Sequence, residues 1–561
     1  MPEDRCDECG VLSALKDNHD VLKLTESCCT EGGHSRCDPC SKFVTLQAQV
    51  QEVEKTLLNL KAAQQSLIST INSHHSSFIR NVPNEVVGLI FSFCHDPAPV
   101  LPGRNMVFPS QRFCMLTLGA VCKRWREIAW ATPELWTLLR MPDIPDSADS
   151  SFSVQAELAK EWLGRSANLP LHISLETQVC SRNPKFNPHV GKLIESINSY
   201  SRRWQCLEIW IPKMYLPLFQ NIPSETAPNE PERLQHLRLD GFRLASKTRV
   251  AFNADGDFLK PTKVTLGPLS VRLLRIDWGN VTSLNCSSLF MDEFLELIRL
   301  APKVTDFAVG IREGHDNHLI PLAPLIHSQL RKLTIKHGHD ISPDVLFSNL
   351  TSPLLESLSY EMTGEWTMQA HILIGFFVRS HAPLRHLSLA RALMRSQDLE
   401  ELLMGLPLLE DLEILFDNKA ACLNFLLIRL ARGLPPRHTD SSPFLPQLRS
   451  LKYQYYGSQT LRLDYIPSIF GKDVNFSDRP AGNEALNDNR VRPMQSLTIA
   501  IDSVYRLFTG EKLQCPKLRK ATVKSFLNLI KNEGKTIEIS YSGVDVVREY
   551  ESGNIEYADT A

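Results

Sequence analysis

Leu384-Arg385-His386-Leu387-Ser388-Leu389 and, 25 positions on, Leu409-Glu410-Asp411-Leu412-Glu413-Ile414 share one frame, apolar-x-x-apolar-x-apolar. The last two apolar positions are two apart, so in an extended chain both point to one face while the residue between them points to the other. Ten copies are readable. They are Trp204/Leu207/Ile209, Leu234/Leu237/Leu239, Val271/Leu274/Ile276, Val304/Phe307/Val309, Leu330/Leu333/Ile335, Leu355/Leu358/Tyr360, Leu384/Leu387/Leu389, Leu409/Leu412/Ile414, Leu448/Leu451/Tyr453 and Met494/Leu497/Ile499. Between them lie helical stretches at 291–300, 371–378, 399–406 and 424–430, each able to return the chain to the next strand. A doubly wound sheet alternates in the same way, but ten units exceed a usual single sheet and favour a solenoid.

The first positions recur at intervals of 25 to 46 residues, and the middle intervals have the length of a leucine-rich repeat unit. The long intervals around Leu448 and Met494 imply insertions, among them residues 457–492, rich in Asp, Asn, Gly and Pro. Outward positions on the strands include Glu208, Arg238, Arg275, Lys332, Thr334, His386, Ser388, Asp411, Glu413 and Lys452. These are expected to line the concave face, where their mixed charge suits a polar or phosphorylated segment of a target protein. An ordinary solvated strand face would look the same.

Upstream of the repeats, Leu46, Val50, Val53, Leu57, Leu60, Gln64, Leu67, Ile71, His74 and Phe78 step by four and three, a heptad seam on one long helix. Either the neighbouring domain covers this stripe or a second copy does, making a dimer; Gln64 and His74 are its polar members. Nearer the N-terminus, Cys6 with Cys9 and Cys37 with Cys40 form two C-x-x-C pairs, with Cys28, Cys29 and His34 between them. Four thiolates suit a structural zinc, although the gap between the pairs is longer than in common zinc ribbons. Apart from that zinc, no cofactor is expected.

The chain has 561 residues, 14 cysteines and a formal charge of -2, from 61 Lys and Arg against 63 Asp and Glu. That balance gives no electrostatic reason to expect nucleic acid or an anionic membrane as partner. No run of 18 apolar residues occurs, and the start, Met1-Pro2-Glu3-Asp4-Arg5, lacks the apolar core of a secretory signal, so a cytoplasmic or nuclear protein with reduced thiols is expected. Catalytic motifs are missing too. Gly534-Lys535-Thr536 resembles the end of a phosphate-binding loop, but Leu529 stands where that motif needs glycine. No G-x-S-x-G or H-E-x-x-H occurs, and the chain is expected not to be an enzyme.

Between the heptad helix and the repeats, helical spacing appears in Val86, Leu89, Ile90 and Phe93 and again in Leu118, Val121, Cys122, Trp125, Ile128 and Ala129, predicting two short helices around a small core. A loop at 95–110 holding Pro97, Pro99, Pro102 and Pro109 separates them. The run Val82-Pro83-Asn84-Glu85-Val86-Val87-Gly88-Leu89-Ile90-Phe91, then Val121-Cys122-Lys123-Arg124-Trp125, then Pro133-Glu134-Leu135-Trp136, resembles an F-box. Val82 replaces the usual Leu, and the loop is longer than in compact members. More of the chain resembles fungal F-box proteins with a cysteine-bearing start and a leucine-rich repeat-like tail: Trp162, Leu163, Arg165 and Ser166, then Leu169, Pro170, Leu171, Ile173 and Leu175, look like the helix and first strand that follow the F-box.

The resemblance implies binding to a Skp-type adaptor and, through it, to a cullin in a ubiquitin ligase. Val82, Pro83, Val86, Ile90, Val121 and Cys122 would form the adaptor contact, while Trp125 and Trp136 would pack the domain's own core. The expected fold class is α/β: an N-terminal helix and small helical F-box followed by an irregular leucine-rich repeat-like α/β solenoid. The expected divisions are a Cys-rich segment at 1–42, heptad helix 43–79, F-box 80–140, connecting helix and strand 141–200, solenoid 201–545 and tail 546–561. The expected function is that of a substrate receptor. The alternative is a non-catalytic scaffold whose F-box acts independently of ubiquitination.

Overall fold

The computed structural model describes residues 38–75, 81–93, 114–141, 152–176, 186–221, 233–242, 251–312, 325–337, 343–362, 368–392, 394–417, 420–432, 444–456, 461–471, 492–502, 518–541 and 543–553. They fall into two compact units, Met1–Thr132 and Pro133–Ala561. No described helix is long and apolar enough to cross a membrane.

The first unit is helical. Helix α1, Asp38–His75, is one uninterrupted rod, as its lack of internal Gly and Pro predicts. Helices α2, Asn84–Phe93, α3, Cys114–Val121, and α4, Lys123–Ala131, follow. Where the spacing from Leu118 to Ala129 predicted one helix there are two. The break is Cys122, whose backbone is extended and whose Sγ accepts a hydrogen bond from the Trp125 N–H at 3.4 Å, capping α4.

The second unit carries a 15-stranded sheet whose neighbours are almost all successive in the chain. Its strands are β1 Leu138–Met141, β2 Leu171–Glu176, β3 Trp204–Pro212, β4 His236–Phe242, β5 Lys263–Leu266, β6 Ser283–Phe290 and β7 Asp306–Arg312. The short β8, Leu325–Ile326, pairs instead with β10, Leu350–Thr351. The main sheet continues through β9 Lys332–His337, β11 Ser357–Met362, β12 His386–Ala390, β13 Asp411–Asp417, β14 Ser450–Tyr456, β15 Ser496–Asp502 and β16 Thr536–Tyr541. Every one of these pairings is parallel, and only the final β17, Val544–Asp545, turns back antiparallel on β16. This is an α/β solenoid.

Strand register lines the two inner apolar positions into continuous rows. One runs Ile173, Leu207, Leu237, Val264, Leu284, Phe307, Leu333, Leu358, Leu387, Leu412, Leu451, Leu497, Ile537. The other runs two residues further along each strand, from Leu175 and Ile209 to Ile499 and Ile539, and both rows are buried. Helices α5, Phe152–Arg165, and α6, Pro188–Asn198, come before and after β2, and later helices pack on this face: Phe294 of α7, Met291–Leu300, meets Phe307 at 5.4 Å between ring centroids, and Phe347 of α8, Pro343–Ser348, meets Tyr360 at the same distance. The other expected returns are also helices: α9 Ala370–Ser380, α10 Ser396–Met404 and α11 Ala420–Ala431.

One of the ten copies is corrected. Val271/Leu274/Ile276 is not a strand of the sheet; Val271–Leu273 is a 3-10 turn, and Leu274 and Ile276 make only isolated bridges to Phe252 and Leu259. The sheet takes Val264/Leu266 and Leu284/Cys286 there instead, residues whose Val and Cys weaken the leucine signal. The sheet also begins well ahead of the expected residue 201, at Leu138. Glycine has a defined task at 310, where a Cβ would lie 2.2 Å from the Ser287 carbonyl beside the register shift in β6.

Both ends of the buried rows are covered. At the start, buried Trp136 meets Trp162 of α5, Phe152–Arg165, edge-on at 4.7 Å, with the Arg165 guanidinium 4.8 Å from its ring. Trp136, expected to pack the F-box core, thus also contacts residues beyond the F-box motif. At the far end α12, Val546–Glu551, follows β17 and buries Val546, Val547 and Tyr550, whose hydroxyl accepts from the Leu518 N–H at 2.6 Å.

Leu387 sits between Leu358 and Leu412 and is buried, so Leu387→Ala should cost about 2 to 5 kcal/mol in urea unfolding, while Ser388→Ala on the opposite face should cost under about 1 kcal/mol. His337, buried at the end of β9, has its pKa lowered to about 4 by desolvation. The folded state then binds fewer protons than the unfolded state below the ordinary value of 6.5, so stability should fall as pH drops from 6.5 to 4. Urea titrations across that window should show a shallower fall for His337→Phe, by the contribution of one proton.

Candidate functional site

Each unit carries one candidate surface. In the first unit the small core is built from Val87 and Phe91 of α2, Met115 of α3, and Ile128 and Ala129 of α4, with Phe91 edge-on to Trp125 at 5.0 Å. Gly88 lets α2 approach this close: a Cβ there would stand 2.9 Å from the Thr132 Oγ1, a hydroxyl that donates to the Ile128 carbonyl at 2.7 Å. Arg124 fixes the start of α2. Its guanidinium donates to the Asn84 Oδ1 at 2.9 and 3.3 Å and to the Val82 carbonyl at 3.0 Å.

This packing turns the expected core stripe outward. Val86, Leu89, Ile90 and Phe93 are 44, 59, 41 and 82% exposed, while the opposite side of the same helix is buried. Helical periodicity alone pointed these residues to the small core, whereas the F-box resemblance pointed Val86 and Ile90 outward, as they are; both sides of α2 are apolar. Of the six expected adaptor residues, Val86 and Ile90 therefore share one exposed stripe; Val121 is 54% exposed at the end of α3. Pro83 is exposed at the entrance to α2, and Val82 and Cys122 are half-buried, engaged through the Val82 carbonyl and the Cys122 Sγ. Leu89 and Phe93, not among the expected adaptor residues, share the same exposed stripe, and their helical spacing with Val86 and Ile90 was the signal for it.

In the second unit the sheet face opposite the helices is polar. Glu208, Arg238, Thr334, Ser388, Glu413 and Lys452 all belong to one cross-strand row, completed by Thr265, Asn285, Ala308, Ser359, Thr498 and Glu538. Lys332, His386 and Asp411 lie in the next row, two residues earlier on each strand. Arg275 is the exception. It lies off the sheet, donating to the Ala254 carbonyl at 3.0 Å with its guanidinium over Phe258, because the strand it was assigned to does not form.

Several of these groups are already paired with one another. Ser388 donates to Glu413 at 3.1 Å, Lys452 reaches Glu413 at 3.6 Å, and His386 contacts Asp411. One row further out, Arg331, Glu356, Arg385, Glu410 and Arg449 occupy the first x of successive copies and alternate in sign. Arg331 pairs with Glu356, Arg385 with Glu410, and Arg449 with Glu410 at 3.3 Å. At this exposure each pair contributes at most about 1 kcal/mol. The alternation is legible in the sequence once the copies are aligned.

The remaining sequence candidates lie elsewhere. Cys6, Cys9 and Cys37 are outside the described residues, and Cys40 is described only as a position in α1. Gly534 of the Gly-Lys-Thr tripeptide takes φ of 64° and ends a helix, Lys520–Glu533, while the Lys535 Nζ donates to the Met494 carbonyl at 2.8 Å. Cys206, beside Glu208, is pushed up to about 12 by burial and then by that carboxylate, so it stays a thiol.

Residues 79–141 match the F-box-like family. No curated protein matches the chain significantly. The matched segment is an F-box-like domain, and it runs through α2, α3 and α4 to the first strand of the sheet.

Arg124→Ala should free the Val82 carbonyl and the Asn84 side chain together. A loss of about 1 kcal/mol is expected, seen as faster hydrogen exchange over 84–93 with little change in the sheet strands.

Proposed function

We propose that this chain is the substrate-receptor subunit of a Skp-cullin-F-box ubiquitin ligase. The observation that carries the reading is the outward apolar stripe of α2 within the F-box-like segment: Val86, Leu89, Ile90 and Phe93 stand in water where a partner would cover them. Fully burying such side chains is worth about 1.5 to 3 kcal/mol each, enough for a small domain to bind through one helix face. Pro83 and Val121 extend the contact, and Val82 and Cys122 set the backbone beneath it.

The solenoid, leucine-rich repeat-like in its spacing, is then the target-binding part. Its row of Glu208, Arg238, Thr334, Ser388, Glu413 and Lys452, flanked by Lys332, His386 and Asp411, offers both charge signs at strand spacing to a polar segment. The chain itself is non-catalytic in this reading, and ubiquitin transfer belongs to the subunits recruited through the adaptor and cullin.

Affinity purification of the full chain from cells should recover a Skp-type adaptor and a cullin. Leu89→Asp with Ile90→Asp should reduce both at least tenfold, while Val154→Asp, an exposed apolar position of the second unit, should not. Equal recovery with the double variant would overturn the adaptor assignment. Recovery of adaptor without cullin, with no change in the lifetime of a bound target, would support the scaffold reading instead.

A further inference from the structure

Helix α1 holds a second apolar surface that the adaptor does not use. Its seam residues Leu46, Val50, Val53, Leu57, Leu60, Leu67 and Ile71 are between 49 and 67% exposed, so the described residues of the chain leave the seam open. The stripe keeps a strict seven-residue repeat from Phe43 to His74, and a straight helix cannot hold that repeat on one side without supercoiling about a partner. Off the seam α1 exposes Val44, Leu58 and Ile68, which are scattered over more than one heptad position and so do not make the regular wider stripe of a core-packed helix.

Charge identifies the partner. With Val50, Leu57, Gln64 and Ile71 at one core position and Val53, Leu60, Leu67 and His74 at the other, Glu54 and Lys61 occupy equivalent flanking positions one heptad apart. Neither makes an ion pair among the described residues. If a second copy of α1 runs antiparallel and Leu57 shares a layer with the partner's Leu60, all other layers fall into place: Val50 meets the partner's Leu67, Leu46 meets the partner's Ile71, and Phe43 meets the partner's His74. In that register Glu54 lies beside the partner's Lys61, and two-fold symmetry makes the pair twice. No like charges oppose one another. Gln64 falls against the partner's Val53, which weakens the layer and leaves the amide beside the solvent-facing edge. A parallel arrangement would stack Gln64 on itself and set Glu54 against the partner's Gln49 and Lys61 against the partner's Thr56, with no charge pair across the seam.

We propose that α1 joins two copies of this chain as an antiparallel coiled coil, with Glu54 and Lys61 setting its direction. The full chain would therefore carry two F-box-like domains and two solenoids per particle. Light scattering on the purified full chain should give twice 63.4 kDa, and Leu57→Asp with Leu60→Asp should return it to 63.4 kDa. Glu54→Lys or Lys61→Glu alone should raise the dissociation constant by about tenfold, since two attractive pairs become two repulsions, and the combined reversal should restore it. A wild-type chain that stays at 63.4 kDa at high micromolar concentration would overturn the proposal. So would a dimer indifferent to the single reversals, which is the parallel outcome. Adaptor capture by the Leu57→Asp, Leu60→Asp variant should be unchanged, because the α2 stripe is untouched.

Discussion

The register between parallel strands is the constraint on which the second unit depends. Side chains alternate along a strand, so a slip of one residue in any of these pairings would carry buried leucines to water and charges to the core. The paired rows from Ile173 to Ile537 and from Leu175 to Ile539 make such a slip costly at every step. With the inner face fixed, the rest follows: helices must cover it, the residue between the two leucines must face out, and the ends must be closed. The Trp136/Trp162 contact and the β17 turn with its following helix do the last of these.

The first unit obeys the opposite economy. Its three short helices have too little volume to bury every apolar residue they carry, and α2 is apolar on both sides. Arg124 and Gly88 decide which side goes in, one by tying the helix start to α4 and the other by allowing close approach at Thr132. What remains outside is a continuous apolar stripe. An exposed apolar stripe of this kind is the mark of an interaction surface, and it lies within the F-box-like segment at residues 79–141.

Much of this was legible in the sequence. Leu-x-Leu spacing located nine of the ten repeat copies, because the signal depends only on strand alternation and the buried rows are dominated by Leu and Ile. It failed at Val271/Leu274/Ile276, where a chance match hid the real strands at Val264/Leu266 and Leu284/Cys286. Arg275 went astray with it. The F-box order was clear from residue types, and it pointed Val86 and Ile90 outward where periodicity could not: periodicity tells which residues share a side and cannot tell which of two apolar sides is buried. The Trp136 contact with Trp162 was not legible from the motif, since Trp162 lies beyond it. The alternating charges from Arg331 to Arg449 needed only alignment of the copies on one another.

The central claim is that the chain docks its adaptor on the outward face of α2 and leaves the solenoid free for a target. Hydrogen exchange of the full chain with and without a purified Skp-type adaptor tests it most directly. Slowed exchange confined to residues 84–93 and 114–131, with the sheet strands unchanged, is the predicted result. Protection on the strands of the solenoid, or none over 84–93, would contradict it.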